Sequence, residues 1–198
     1  MKRQVPLLTA IVFASATALM AQAPPAAPRS KPDQPAPQAA THPDNHAAGA
    51  DLEFARNVAA GGAAEVELTM MAEQKASSPD VRSLASRLHT DHMKANDELK
   101  KIASKKGWEL PASPTPEQND KKIKLEKLSG AEFDREFVTM MVTNHRANIP
   151  NFQREADKGA DPDVKNFASM VLPTLKEHLD LAVKAQQALG VTKTSAKR

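Results

Sequence analysis

From Asp51 onward, hydrophobic side chains recur every three or four residues, which is the period of a helix with one buried face. Four such stretches predict helices, with approximate bounds Asp51–Ala76, Pro79–Lys106, Ser129–Lys158 and Pro162–Leu189. Glycines, which often end helices, follow the last three stretches: Gly107, Gly159 and Gly190. The pattern therefore predicts an all-α protein.

A repeated turn relates the first two helices to the last two. The segment Lys75–Ser86 aligns with Lys158–Ser169, 83 positions further on, and each contains a helix end, a tight turn and a helix start. Ser78 and Asp161 are the expected N-caps, since their side chains can accept a hydrogen bond from a free backbone N–H. Two similar antiparallel hairpins are therefore expected.

The connection between the hairpins, from Gly107 to about Ser129, is much longer than the turn within each hairpin. It contains three prolines and then a charged amphipathic piece around Glu117–Leu128. At up to about 3.3 Å per residue it could run the length of a bundle. One long crossover between two hairpins is the ferritin-like arrangement. We therefore expect a ferritin-like four-helix bundle over residues 51–190.

The N-terminal segment differs in character from the predicted bundle. Residues 1–21 combine basic Lys2 and Arg3, an apolar run and small residues, the order of a secretory signal peptide cut after Ala21. The apolar run is shorter than the about 20 residues that a membrane span needs. Residues 22–50, rich in Pro and Ala, are expected to be a disordered linker, and residues 191–198 a basic disordered tail.

These features predict an exported protein, located in the periplasm or associated with the outer membrane, with no integral membrane span after signal removal. The chain has no cysteine, which excludes disulfides and a lipid-modified N-terminus. Its net charge of +3 falls to +1 once Lys2 and Arg3 leave, and it has no Tyr and one Trp. A nucleic-acid partner is therefore not expected, and the sequence leaves protein partners unknown.

Four polar residues interrupt the apolar stripes, one on each predicted helix: Glu65, His92, His145 and His178. Counted from the two hairpin turns at 1.5 Å per residue, all four fall at a similar height in the bundle. Inward-facing polar side chains at one level are typical of a metal site in a bundle core. A metal ion is thus the candidate ligand of this chain.

The residue types in this set narrow the choice of metal. No histidine has a glutamate three positions before it, as di-iron carboxylate proteins require. A set rich in His and poor in Glu suits copper, zinc or a single iron better. Met141, one turn before His145, is a further candidate ligand that would favour copper. Asp91, Asn144 and Glu177 each precede a stripe histidine, and could either orient a histidine or be solvated charges.

Three functions stay open from the residues alone. The first is transition-metal binding for storage, buffering or sensing, without turnover. The second is a metal-free interaction or stress-protection module of the cell envelope, because a buried Glu surrounded by His can also form a hydrogen-bonded network. The third is a metal-dependent oxidoreductase.

Three ordered motifs resemble an exported bacterial family, domain of unknown function 4142, whose members are often labelled outer-membrane proteins. They are His89–Leu99, Ser129–Phe137 followed by His145, and Leu172–Leu179. The resemblance extends over about Asp51–Leu189 and implies a ferritin-like bundle and export, but no reaction. The fragment Phe137–His145 also resembles, more weakly, a related exported family with Met- and His-rich helices linked to copper.

Overall fold

The computed structural model describes residues 43–191. The expected signal peptide, most of the expected linker and the tail from residue 192 lie outside these residues. The described part is all α, with five helices: α1 (Pro43–Lys75), α2 (Pro79–Lys106), α3 (Pro116–Glu126), α4 (Gly130–Lys158) and α5 (Pro162–Ala188). The expected all-α class is confirmed.

The helices pair as the repeated turn predicts. The most extensive contacts join α1 to α2 and α4 to α5, and smaller ones join α2 to α5 and α1 to α4. Helix α3 lies within the connection between the hairpins and contacts α1 and α4. The result is a bundle of two helical hairpins with a fifth, short helix against them.

Two elements differ from the sequence expectation. Helix α1 begins at Pro43 rather than near Asp51, because a proline at the first position and the alanines after it favour a helix even without apolar periodicity. The charged piece of the crossover forms α3, whose N-terminus is closed by a capping box between Thr115 and Gln118. The Thr-x-x-Gln spacing is the sequence signal for this helix.

The apolar core consists of two clusters placed one after the other along the bundle. The first includes Leu88 of α2 and Val142 of α4. The second includes Leu99 of α2 and Phe152 of α4. The stripe histidines fall between these positions on both helices, with His92 on α2 and His145 on α4. A polar layer therefore separates two apolar halves of the core.

A buried aspartate from each hairpin holds the turn of the other. Asp134 on α4 accepts hydrogen bonds from the backbone N–H of Ser77 at 3.0 Å and of Ser78 at 2.8 Å, and from the Ser77 hydroxyl. Asp51 on α1 accepts from the backbone N–H of Ala160 at 3.3 Å and of Asp161 at 2.6 Å. The two aspartates are themselves 83 positions apart. The repeat thus includes a reciprocal contact that fixes one hairpin against the other.

The N-cap residues of α2, α4 and α5 differ in the hydrogen bonds that their side chains make. Asp161 caps α5 as expected, accepting from the N–H groups of Asp163 and Val164. Ser78 occupies the N-cap position of α2 as expected, but its side chain makes no cap bond. Its backbone N–H donates to Asp134. Ser129 occupies the N-cap position of α4; the spacing to Glu132 predicts a capping box there, but the Ser129 side chain makes no cap bond.

We predict that Asp134→Ala lowers the free energy of unfolding by about 3 kcal/mol, because three donors at the α1–α2 turn lose their acceptor. Urea denaturation followed by circular dichroism measures it. The exposed Asp157 on the same helix gives the matched control, and Asp157→Ala should change the free energy by less than about 0.5 kcal/mol. Equal effects of the two substitutions would contradict the role of Asp134.

Glu155 gives the second turn a titratable group that the first turn lacks. It is buried, and its Oε1 atom has no hydrogen-bond partner. Burial, together with the neighbouring Asp51 carboxylate, raises the pKa of Glu155 to about 7. The position 83 residues earlier is Ala72, which is apolar and buried. Protonation at this end of the bundle therefore matters near neutral pH.

The raised pKa of Glu155 predicts that the protein loses stability as the pH rises. The folded state binds this proton more tightly than the unfolded state, so the stabilising contribution is complete below about pH 4.5 and is lost as the pH rises through 7. The loss is on the order of 3 kcal/mol. We expect Glu155→Gln to remove it, which unfolding free energies measured between pH 4.5 and 8 would show. An unchanged pH slope in the variant would refute this assignment.

Candidate metal centre

Three histidines from three helices converge in the polar layer. His92 of α2, His145 of α4 and His178 of α5 each present a ring nitrogen, and the three nitrogens lie within 4.8 Å of one another. His145 and His178 are buried, and His92 is half-buried. In the described part of the chain this is the one group of His and acidic side chains that could hold a metal ion.

Hydrogen bonding fixes the tautomer of His145. Its Nδ1 atom lies 2.9 Å from the carbonyl oxygen of Met141, one turn earlier on α4. A carbonyl oxygen only accepts, so Nδ1 carries the hydrogen and donates it. The Nε2 atom of a neutral His145 ring therefore presents a lone pair.

The tautomer of His178 is fixed from a neighbouring helix. Its Nε2 atom lies 3.1 Å from Oδ2 of Asp91 on α2. Partial burial raises the pKa of Asp91, but hydrogen bonds from Arg87 and His178 outweigh it and hold that pKa below its usual value. The ionised carboxylate only accepts, so Nε2 of His178 donates. Burial lowers the pKa of His178 more than Asp91 raises it, which leaves a neutral ring with a lone pair on Nδ1.

These two assignments bring two lone pairs face to face. Nε2 of His145 lies 3.3 Å from Nδ1 of His178, and both rings direct their hydrogens elsewhere. Nε2 of His92 is buried beside them without a hydrogen-bond partner. Burial, with the nearby His145 and His178, lowers the pKa of His92 to about 3, so this ring is neutral as well. Three imidazole rings thus surround one point, and those of His92 and His178 are neutral.

Glu65 and Met141, the other two predicted site residues, take different positions. Glu65 is buried in the same layer but does not belong to the three-histidine cluster. Its Oε1 accepts from Asn144 at 3.0 Å, its Oε2 has no partner, and burial raises its pKa. Met141 packs in the first apolar cluster and contacts His145 through its carbonyl oxygen.

The three acidic or amide residues that precede the stripe histidines all contact neighbouring helices. Asp91 precedes His92 but binds His178, Asn144 binds Glu65, and Glu177 pairs with Arg87 at 3.3 Å. Asp91 also pairs with Arg87 at 2.6 Å. Asp91 therefore orients a histidine, whereas Glu177 is an exposed charge in an ion pair.

Two cavities adjoin the histidines. The larger, of about 500 Å³, is lined by Glu65, His92 and His145 among others. The smaller, of about 400 Å³, lies between α2 and α5 and is lined by Asp91, His92 and His178 among others. Gly62 occupies the repeat position equivalent to His145, and the Asn96 side chain packs against it, so a Cβ there would lie 2.0 Å from Asn96 Oδ1. His92 faces both cavities.

The lowered pKa of His92 predicts acid sensitivity of the metal-free protein. The folded state resists protonation of this ring until about pH 3, whereas an unfolded histidine protonates near 6.5. The stabilising contribution is therefore present above pH 6.5 and is lost, by on the order of 5 kcal/mol, as the pH falls toward 3. Acid unfolding with a chelator present should be shallower for His92→Gln. Identical acid unfolding curves for the wild type and His92→Gln would contradict a neutral His92 in the folded state.

The comparisons with known proteins agree with this architecture. The sequence model of the DUF4142 family, described as a domain of unknown function, matches residues 35–185. The chain belongs to this family, as the three motifs indicated. No curated protein matches the chain.

Solved structures with a similar fold come from three bacteria. A DUF305 fragment of Deinococcus radiodurans is 16% identical, with a TM-score of 0.62, over 72% of this chain and 97% of that one. A DUF305 protein of Streptomyces coelicolor, described as a candidate secreted protein, is 16% identical with a TM-score of 0.61, over 71% and 94%. A conserved hypothetical protein of Mycobacterium tuberculosis is 17% identical with a TM-score of 0.55, over 77% and 99%. At these identities the likeness concerns the fold.

Proposed function

We propose that this protein binds a transition metal at His92, His145 and His178, for storage, buffering or sensing without turnover. One observation carries the proposal: Nε2 of His145 and Nδ1 of His178 lie 3.3 Å apart, while the single hydrogen that each neutral ring carries is engaged elsewhere. Two buried lone pairs at that distance repel each other. A cation between them turns the repulsion into coordination.

The spacing of the nitrogens supports the proposal. Zinc binds imidazole nitrogen at about 2.0–2.1 Å, which places two nitrogens of a tetrahedral site about 3.3 Å apart. The His145–His178 pair already has this separation, and His92 completes a group that spans at most 4.8 Å.

The partners of the rings also suit a metal site. A ligating histidine usually donates its other N–H to a carboxylate or a backbone carbonyl, which fixes the ring and strengthens the ligand. Asp91 accepts the ring N–H of His178 in this way, and the Met141 carbonyl oxygen accepts that of His145. Arg87 holds Asp91 ionised and in place at 2.6 Å.

Copper, zinc or a single iron remain the metals that we propose, because three imidazoles with few carboxylates accept all three. Glu65 is the proposed carboxylate of the site and acts through a bridging molecule, since its buried Oε2 needs a partner and it lies outside the histidine group. The Met141 thioether is the weaker proposal, because the side chain packs in the apolar cluster.

The location and the fold subclass are proposals as well. We propose export to the periplasm or the outer membrane, supported by the signal-like residues 1–21. No helix in residues 43–191 is long and apolar enough to cross a membrane. The ferritin-like topology is supported by two paired hairpins and a long connection that carries α3.

Metal binding predicts a thermal shift that depends on the histidine cluster. A ligand that binds only the folded state adds about 2.7 kcal/mol of stability at a hundredfold excess over its Kd. We expect copper or zinc to raise the Tm of the untagged protein by this mechanism, and His145→Ala to abolish the rise. Calorimetry with and without metal measures both.

His89 offers a matched control for that experiment. It lies one turn before His92 on α2 and outside the cluster, so His89→Ala should keep the metal-induced rise. If no first-row metal raises the Tm of the wild-type protein, or if His145→Ala responds like wild type, the metal proposal fails. The metal-free network would then be the better interpretation.

A further inference from the structure

The larger cavity lies beside the histidine cluster and reaches two of its rings. His92 and His145 form part of its wall, together with Glu65. Zinc sites with three protein ligands keep their fourth position for water or substrate, whereas structural sites use four protein ligands. Whether a bound metal would keep a free coordination position therefore depends on the side chains of this wall.

Among the described residues, Glu65 is the best candidate for a fourth protein ligand. Its position nevertheless argues against direct coordination of the metal. Its carboxylate is outside the group of atoms that lie within 4.8 Å of one another. Asn144 donates a hydrogen bond to its Oε1 at 3.0 Å, so one of the two carboxylate oxygens is already engaged. Its buried Oε2 nevertheless lacks a hydrogen-bond partner, and leaving such an atom unsatisfied costs about 1–3 kcal/mol. A small molecule between the metal and Glu65 would occupy the free coordination position and give Oε2 a hydrogen-bond partner.

The remaining wall of the cavity suits a small polar ligand. Phenylalanine rings form an apolar part, from Phe54, Phe152 and Phe167. Charged side chains also line it, from Glu53, Arg154 and Glu155. Carboxamide side chains, which both donate and accept, form the rest of the polar part: Asn57, Asn96, Gln118, Asn148 and Asn151. Asn148 and Asn151 are exposed, so the cavity reaches solvent. An apolar wall with a few convergent polar groups is typical of a ligand pocket.

We propose that the histidine-bound metal has an open coordination position that faces this cavity and takes an exogenous small ligand. The ligand class is a molecule or anion of a few heavy atoms that offers a lone pair on nitrogen or oxygen to the metal. Glu65 forms a hydrogen bond with it from the opposite side. This inference rests on the proposed metal binding and adds an accessible binding site to it.

Gly61 provides a way to fill the cavity without touching the histidines. It lies on α1 one turn before Glu65 and lines the cavity. A Cβ at this position would meet only the Gln118 side chain, at 3.9 Å. Gly61→Leu therefore places a branched side chain in the cavity, and Gly61→Ala is the matched substitution that leaves most of it open.

Azide binding to the copper(II)-loaded full-length protein tests the inference. Azide gives a charge-transfer absorption band when it coordinates copper(II), so a titration yields its affinity. We expect saturable binding to wild type and Gly61→Ala, and at least tenfold weaker binding to Gly61→Leu. Calorimetry should show that all three proteins keep the copper-induced rise in Tm.

The possible outcomes separate this inference from the metal proposal. Copper binding without azide binding, or with equal azide affinity in Gly61→Leu and Gly61→Ala, would overturn the open position and leave the metal proposal standing. Absence of the copper-induced rise in wild type would overturn both.

Discussion

Two buried aspartates set the height at which the hairpins meet. Asp134 binds the turn between α1 and α2, and Asp51 binds the turn between α4 and α5. Moving one hairpin along the other by a single residue, about 1.5 Å, would break both contacts. His92 belongs to the first hairpin, whereas His145 and His178 belong to the second. The histidine cluster therefore depends on these two carboxylates.

The polar layer is costly unless it is satisfied. Apolar clusters pack on both sides of it, and buried polar atoms without partners weaken a fold by about 1–3 kcal/mol each. Nε2 of His92 and Oε2 of Glu65 are such atoms, and a neutral His145 faces His178 with two lone pairs and no hydrogen between the nitrogens. One cation and one small ligand would satisfy all of them. The apolar clusters and the aspartate contacts supply the stability that keeps this layer in place.

The sequence predicted what depends on local pattern. The bounds of α2, the paired hairpins and the inward histidines follow from periodicity, turn chemistry and the repeat. It did not reveal that Asp134 accepts the backbone N–H of Ser78, that Asp91 accepts a hydrogen bond from His178, or that Asn96 packs on Gly62. Each of these contacts joins different helices, so it depends on tertiary placement. Glu65 shared the predicted height, but its distance from the histidines depends on side-chain geometry.

X-ray absorption spectroscopy of the metal-loaded, untagged full-length protein tests the metal centre most directly. Multiple scattering from imidazole rings counts the histidine ligands, independently of any effect on stability. We expect three imidazole nitrogens at about 2.0–2.1 Å with zinc bound, plus one further oxygen or nitrogen ligand that is not an imidazole. A first shell of oxygen atoms without imidazole scattering, or with a single imidazole, would contradict a site built from His92, His145 and His178.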